Sequence, residues 1–315
     1  MEYNKLLENN GPTGLVYGAV NEPVTVLWIK PGQQRDHDSL ILKKPVNPTA
    51  WFNGMDTEMR LWLVGKAATQ AIYGEPLIIL KRQGNWLKVV AINQRSALIR
   101  YGYPGWVPAA HIVTNQTYLT DLKDLPGAVI TKPLVKLYQN KDLTGASVEL
   151  CYQTRLPILE EYKETVTVRV PDGNIGYLPR DDVKKSTELT FCRDVIIEEA
   201  KHFLGVRYTW AGTSSYGFDC SGFVMRLYQS QGVFLPRDAN DQAKEGVRVA
   251  RNELLPGDLL FFAAGGGQDQ IHHVGMYTGD GIMIHSPNSN STVRLDEIDS
   301  GTYYREYWGA KRYVL

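Results

Sequence analysis

No stretch of the chain reaches the roughly 18 apolar residues that a membrane-spanning helix needs, so the sequence gives no reason to expect membrane insertion. It also lacks an excess of either charge. Lys plus Arg and Asp plus Glu number 34 each, and the formal net charge is zero. A balanced chain without a basic run has no bulk electrostatic reason to bind nucleic acid or an anionic surface. Cysteine is scarce: Cys151, Cys192 and Cys220 form neither a CxxC nor a CxH pattern, which argues against a metal site. Their odd number, in 315 residues, argues against a disulfide framework. Cys151 and Cys192 read as small buried hydrophobes. The opening residues Met1-Glu2-Tyr3-Asn4-Lys5 lack the apolar core of a secretory leader. The expectation is a cytoplasmic protein, or a secreted or periplasmic one if a leader has been trimmed.

What is present is ordinary globular material, 43% hydrophobic and 22% charged, and too long for one average domain. Two segments resemble each other. One runs from Glu75 through Asn85-Trp86 to Val89, followed later by Gly105-Trp106-Val107-Pro108. The other runs from Thr154 to Val168, followed by Gly176-Tyr177-Leu178-Pro179. Short alternating strands between turn residues predict two small β-barrels of one kind, with a hairpin turn at Asp172-Gly173. Helical spacing of Met59, Leu61, Leu63, Val64, Ala67 and Ala71 predicts a helical insertion over about 47–73, with Thr57 capping one helix. The expected domains are 1–118, 119–187 and 188–315. In the last, helices from Asp194, from Asp219 or Cys220, and over about 238–245 precede a run of strands, which is an α+β pattern.

A peptide-cleaving thiol needs partial ionisation, a base within reach, and a group that holds the base. Cys220 lies in Phe218-Asp219-Cys220-Ser221-Gly222 at a helix start, with Asp219 as a good N-cap. The helix dipole and a nearby imidazolium lower a thiol pKa from ~8.5 toward ~4–7. Asp219 opposes this unless its own charge is used elsewhere. His272 and His273 sit on opposite faces of one strand, and the residues alone leave the choice of base between them open. His273 shares its face with Gly275, where a helix could pack closely. The Thr278-Gly279-Asp280-Gly281 turn makes the strand of His285 the antiparallel neighbour. A metal centre is the competing use of Cys with His, but no closely spaced further ligands accompany these.

Gly205–Gly212, Phe218–Phe223, Leu255–Phe261, His273–Tyr277 and His285 together resemble the NlpC/P60 family of cell-wall cysteine peptidases. The resemblance implies a papain-like α+β domain behind two bacterial SH3-like (SH3b) barrels, as in the YkfC-like γ-D-glutamyl-L-diamino acid endopeptidases. It implies Cys220 as nucleophile, His273 as base, His285 as its orienting residue and Tyr208 at the oxyanion, with no metal or other cofactor. The implied substrate is a peptidoglycan stem peptide with a free N-terminal L-Ala, contacted by Asp219, Ser221, Trp210, Tyr103 and Asp238. Asp219 and Asp238 each also fit a plain helix cap. The sequence departs from the group at Ala68, where an acidic residue is expected, and at Ala239, where a serine is expected. Both changes thin the polar contacts to the peptide's amino end. The alternatives are a cell-wall-binding protein with a degenerate catalytic domain, and an amidase or acyltransferase using the same Cys–His–His set. No nucleic acid or membrane insertion is expected, and the sequence leaves the oligomeric state open, a monomer fitting as well as any.

Overall fold

The computed structural model describes residues 14–314. The chain divides into two compact units: residues up to Leu189 with Ser214–Tyr216, and Thr190–Thr213 with Gly217 onward. The first thirteen residues of the expected first domain lie outside the described residues.

The first unit holds two seven-stranded antiparallel sheets. One comprises β1 (Val16–Val20), β2 (Val24–Trp28), β3 (Ala67–Ile72), β4 (Pro76–Gln83), β5 (Trp86–Ala91), β6 (Tyr103–Pro108) and β7 (Ile112–Val113). The other comprises β8 (Gly127–Ile130), β9 (Leu134–Tyr138), β10 (Ala146–Cys151), β11 (Arg155–Glu161), β12 (Thr165–Arg169), β13 (Ile175–Pro179) and β14 (Val183–Lys185). Their strand orders are β3-β2-β6-β5-β4-β1-β7 and β10-β9-β13-β12-β11-β8-β14, the same path walked twice. β12 and β13 pair across the Asp172-Gly173 turn, as that dipeptide predicts.

The insertion is only partly helical. α1 (Ser39–Leu42), α2 (Pro48–Asn53) and α3 (Thr57–Leu61) occupy it, but Ala67–Ile72 is strand β3, paired along β2. Ala67, Ala71 and Ile72 fit a helical spacing, yet the pairing buries this segment in the sheet, and tertiary context overrides alanine's helix preference. Asp56, not Thr57, caps α3: its carboxylate accepts from the Met59 N–H at 2.8 Å. Asn47 caps α2 in the same way. The expected division between 118 and 119 falls inside α4 (Gln116–Asp124). Tyr118, Leu119 and Leu122 of α4 join an apolar cluster containing Ile78 and Val90 from one sheet and Leu156, Val168 and Leu178 from the other. Cys151 is buried as expected, whereas Cys192 is exposed.

In the second unit α5 (Arg193–Lys201) packs on α6 (Cys220–Ser230); between them in sequence the chain forms the short strands β15 (Thr213–Ser214) and β16 (Gly217–Phe218). α7 spans only Ala239–Gln242, shorter than expected. A six-stranded antiparallel sheet follows, built from β17 (Val247–Val249), β18 (Leu259–Ala263), β19 (Ile271–Gly279), β20 (Ile282–His285), β21 (Arg294–Glu297) and β22 (Tyr307–Arg312), in the order β17-β22-β18-β19-β20-β21. α8 (Gly301–Arg305) lies between β21 and β22 in sequence. β17 had no sequence signal. Every residue of α6 is buried. Its Phe223 packs with Phe203 and Phe218 at ring distances of 6.1 and 5.5 Å. Burying each such ring contributes on the order of 2 kcal/mol, which anchors the start of α6 against the end of α5 and the strand β16.

Candidate active site

Cys220 is the first residue of α6, and Asp219 caps the helix by accepting from the Gly222 N–H at 2.7 Å. The segment after Tyr208 is held against this helix start by a bond from the Asp219 N–H to the Gly212 carbonyl at 3.1 Å. A Cβ at position 222 would stand 2.1 Å from that carbonyl oxygen, so only glycine permits the approach. Tyr208, 6% exposed, is thereby brought beside Cys220. Burial, and then the Cys220 and Asp219 charges, push its phenol pKa up, so it stays a hydroxyl donor at neutral pH.

Asp219 does not act on the thiol alone. Arg237, 2% exposed, donates to Asp219 Oδ2 at 2.5 Å and to Oδ1 at 3.0 Å. It also donates to Ser221 Oγ at 2.9 Å, and that hydroxyl donates to Asp219 Oδ1 at 3.3 Å. Arg237 is the use of the Asp219 charge that the sequence left open, and sequence reasoning missed it. Burial first, then Asp219, pushes the Cys220 thiol up to about 12. The Val274 N–H, Arg237 and the Ser221 N–H pull the other way.

Val274 follows His273 on β19, the strand against which α6 packs. His273 is 5% exposed, while His272 faces outward and pairs with Glu306 at 3.2 Å. The alternation of the strand separates them. The close approach at Gly275 is not made by a helix. A Cβ there would lie 2.7 Å from Met283 Sδ and 3.2 Å from His285 Cβ, so the missing side chain admits neighbours from β20. His273 Nε2 stands 2.7 Å from His285 Nδ1. His285 Nε2 stands 2.9 Å from Asp296 Oδ2 on β21, and Arg294 Nε donates to the same oxygen at 2.8 Å. Burial holds His273 well below its ordinary pKa, with His285 and His272 adding to this. Burial also lowers His285, against the opposing pull of Asp296. Burial thus favours the uncharged form of both thiol and imidazole.

Asp296 is the second residue that sequence reasoning missed. The R-x-D pattern of Arg294 and Asp296 on one strand face was its only trace. The remaining expected contacts are more dispersed. Trp210 is 38% exposed in the loop after Tyr208, followed by Ala211 at φ 65°. Asp238 holds the N-cap position of α7, but its side chain does not cap the helix. Ala239 opens α7, and Ala68 lies in β3. Tyr103 begins β6 in the first unit and is 9% exposed. A cavity of about 690 Å³ opens beside His273, bordered by Asn288, Arg294, Asp296, Tyr303 and Glu306.

The NlpC/P60 family model matches residues 205–312, and the model of the YKFC SH3b2 domain matches 130–185. The chain is 37% identical over 301 residues to a γ-D-glutamyl-L-lysine dipeptidyl-peptidase of Bacillus cereus, covering 94% of this chain and 90% of that protein. It is 32% identical over 291 residues to the protein of the same name from Bacillus subtilis, covering 92% and 96%. The crystal structure of an NlpC/P60 family protein from Bacillus cereus superposes with a TM-score of 0.90 at 37% identity, over 94% of this chain and 99% of that one. With two such full-length relatives and a fold of two SH3-like barrels before a papain-like domain, the chain belongs to the NlpC/P60 family of cysteine peptidases.

Proposed function

We propose that the enzyme hydrolyses the bond between γ-D-glutamate and an L-diamino acid in peptidoglycan stem peptides whose N-terminal L-Ala is free. The observation that carries this is the agreement between the full-length relatives, both γ-D-glutamyl-L-lysine dipeptidyl-peptidases, and a helix-start thiol set on a strand that bears a hydrogen-bonded histidine pair. In this reading Cys220 Sγ attacks the γ-glutamyl carbonyl carbon as His273 takes the thiol proton. The Cys220 N–H and the Tyr208 hydroxyl donate to the oxyanion. Collapse breaks the C–N bond, and His273 returns the proton to the leaving amine. Water, deprotonated by His273, then splits the thioester and frees the dipeptide acid and Cys220. His285 orients His273 throughout.

Asp238, Trp210, Ser221 and Asp219 are the proposed contacts to the dipeptide end. Arg237 engages both oxygens of Asp219, so a substrate ammonium at Asp219 would share that carboxylate with the guanidinium. A dipeptidyl-peptidase acts from a free amino end, which suits soluble fragments and supports a role in recycling wall peptides. The test is mass-spectrometric hydrolysis of L-Ala-γ-D-Glu-L-Lys beside its N-acetylated form, with Cys220→Ala as control. Cleavage of the free peptide alone, absent in Cys220→Ala, is the expected result. Equal cleavage of both forms overturns the amino-end requirement, and cleavage of neither overturns the activity.

A further inference from the structure

We propose that Asp296 is the positioning residue that fixes the tautomers of both active-site histidines, leaving His273 Nδ1 as the nitrogen that takes the thiol proton. The argument starts from strand register. β20 and β21 pair antiparallel with His285 opposite Arg294 and Met283 opposite Asp296. Asp296 is thus the diagonal neighbour of His285, within reach of a long side chain. Its Oδ2 lies 2.9 Å from His285 Nε2. The hydrogen bond from His285 first, and that from Arg294 after it, hold the Asp296 carboxyl below its usual range, so it is ionised at neutral pH.

An ionised carboxylate only accepts hydrogen bonds. His285 must therefore carry its proton on Nε2. A neutral imidazole carries one N–H, so His285 Nδ1 is a lone pair. The 2.7 Å contact to His273 Nε2 is then a bond donated by His273. That leaves His273 Nδ1 unprotonated. One carboxylate thus sets the proton positions on two rings in series. When His273 accepts the thiol proton, the new cation is joined to Asp296 through His285.

The surroundings fit this role. Tyr303 packs its ring 5.1 Å from His285 and 6.0 Å from His273, and its hydroxyl bonds to Arg294. Arg294 orients the carboxylate, although its own cation lowers the His285 pKa. The other charged or titratable neighbours are His272 with Glu306 on the outer side, and Cys220, Asp219 and Arg237 at the start of α6. Of these groups only Asp296 accepts from His285.

The role rests on the peptidase reading, and its test is built to fail separately from it. Asp296→Asn keeps the shape but can turn an NH₂ toward His285 Nε2. His285 then carries its proton on Nδ1, His273 accepts at Nε2, and the base nitrogen becomes protonated. The expected result is a ~100-fold or larger fall in kcat on L-Ala-γ-D-Glu-L-Lys with KM nearly unchanged, by analogy with loss of the aspartate in a serine-protease triad. Asp296→Glu is expected to recover part of that loss. In parallel, the rate at which iodoacetamide alkylates Cys220 is followed against pH. Removing an anion that favours the imidazolium moves the imidazolium limb of that profile to lower pH in Asp296→Asn. Wild-type kcat and an unmoved alkylation profile in Asp296→Asn overturn the proposal. So does an equal loss in the Asn and Glu variants that follows their melting temperatures. Alkylation needs no peptide, so a wild-type enzyme inactive on the tripeptide sinks the substrate reading while the alkylation profile still decides the role of Asp296.

Discussion

At the residue scale the Asp219–Arg237 pair does more than cap a helix. The Asp219 carboxylate pushes the neighbouring thiol up, and Arg237, with 2% of its side chain exposed, offsets part of that push. Removing one partner of a buried pair leaves an uncompensated charge and costs about 3–5 kcal/mol. Arg237→Met is expected to lower stability by that order in urea titration and to move Cys220 alkylation to higher pH, because the cation goes while the anion stays. A variant that loses stability with an unchanged alkylation profile would show that Arg237 acts on the fold alone. Pairing it with Asp219→Asn is expected to recover much of the stability. Cys220 was legible in the sequence because helix-start chemistry is local. Arg237 was not, because it reaches Asp219 from 18 residues further along the chain through a turn whose direction no pattern encodes.

At the element scale the histidine hairpin was legible, since Gly279-Asp280-Gly281 joins β19 to β20 and the alternation of β19 sorts His272 from His273. Asp296 was not. Its place opposite β20 depends on a register set after the irregular stretch 286–293, which short-range pattern cannot fix. Gly275 tests the hairpin directly. Gly275→Ala must displace Met283 and press on His285, and in the proposed mechanism a small misplacement of the ring that orients the base is costly. Its expected signature is a ~10-fold fall in kcat with little change in KM, read by steady-state kinetics on the tripeptide. His111 tests the insertion. Its Nε2–H donates to the Leu42 carbonyl at 3.0 Å, and Thr25 Oγ1 lies 2.8 Å from Nδ1. Burial lowers its pKa to about 4. The unfolded chain then binds a proton that the folded one refuses between about pH 6.5 and 4, so this contribution is full above pH 6.5 and is lost as pH falls through that window. The shift corresponds to about 3 kcal/mol. Urea titrations at pH 7 and pH 4.5 are expected to show wild-type losing more stability than His111→Gln, and equal losses would exclude this histidine as the cause.

At the scale of the whole molecule, the repeated barrel was readable because each copy repeats its own local grammar of strand, turn, strand and Gly-aromatic-aliphatic-Pro, and both sheets then follow one strand order. The misread segment, Ala67–Ile72, is the one whose residues suit either period, so only pairing with β2 decides it. Charge is readable without any fold. With 34 basic and 34 acidic side chains and histidines neutral, the chain carries no net charge at pH 7. Self-repulsion between molecules is then weakest near neutrality. The expected outcome is a solubility minimum near pH 7 that deepens at low salt and relaxes on moving two units either way. The same balance predicts passage through a heparin column at about 0.15 M salt, where exposed charges are screened beyond ~8 Å. Retention well above that salt would mean that the balanced total conceals a concentrated basic face, and polyanionic wall polymers would then become partners to test.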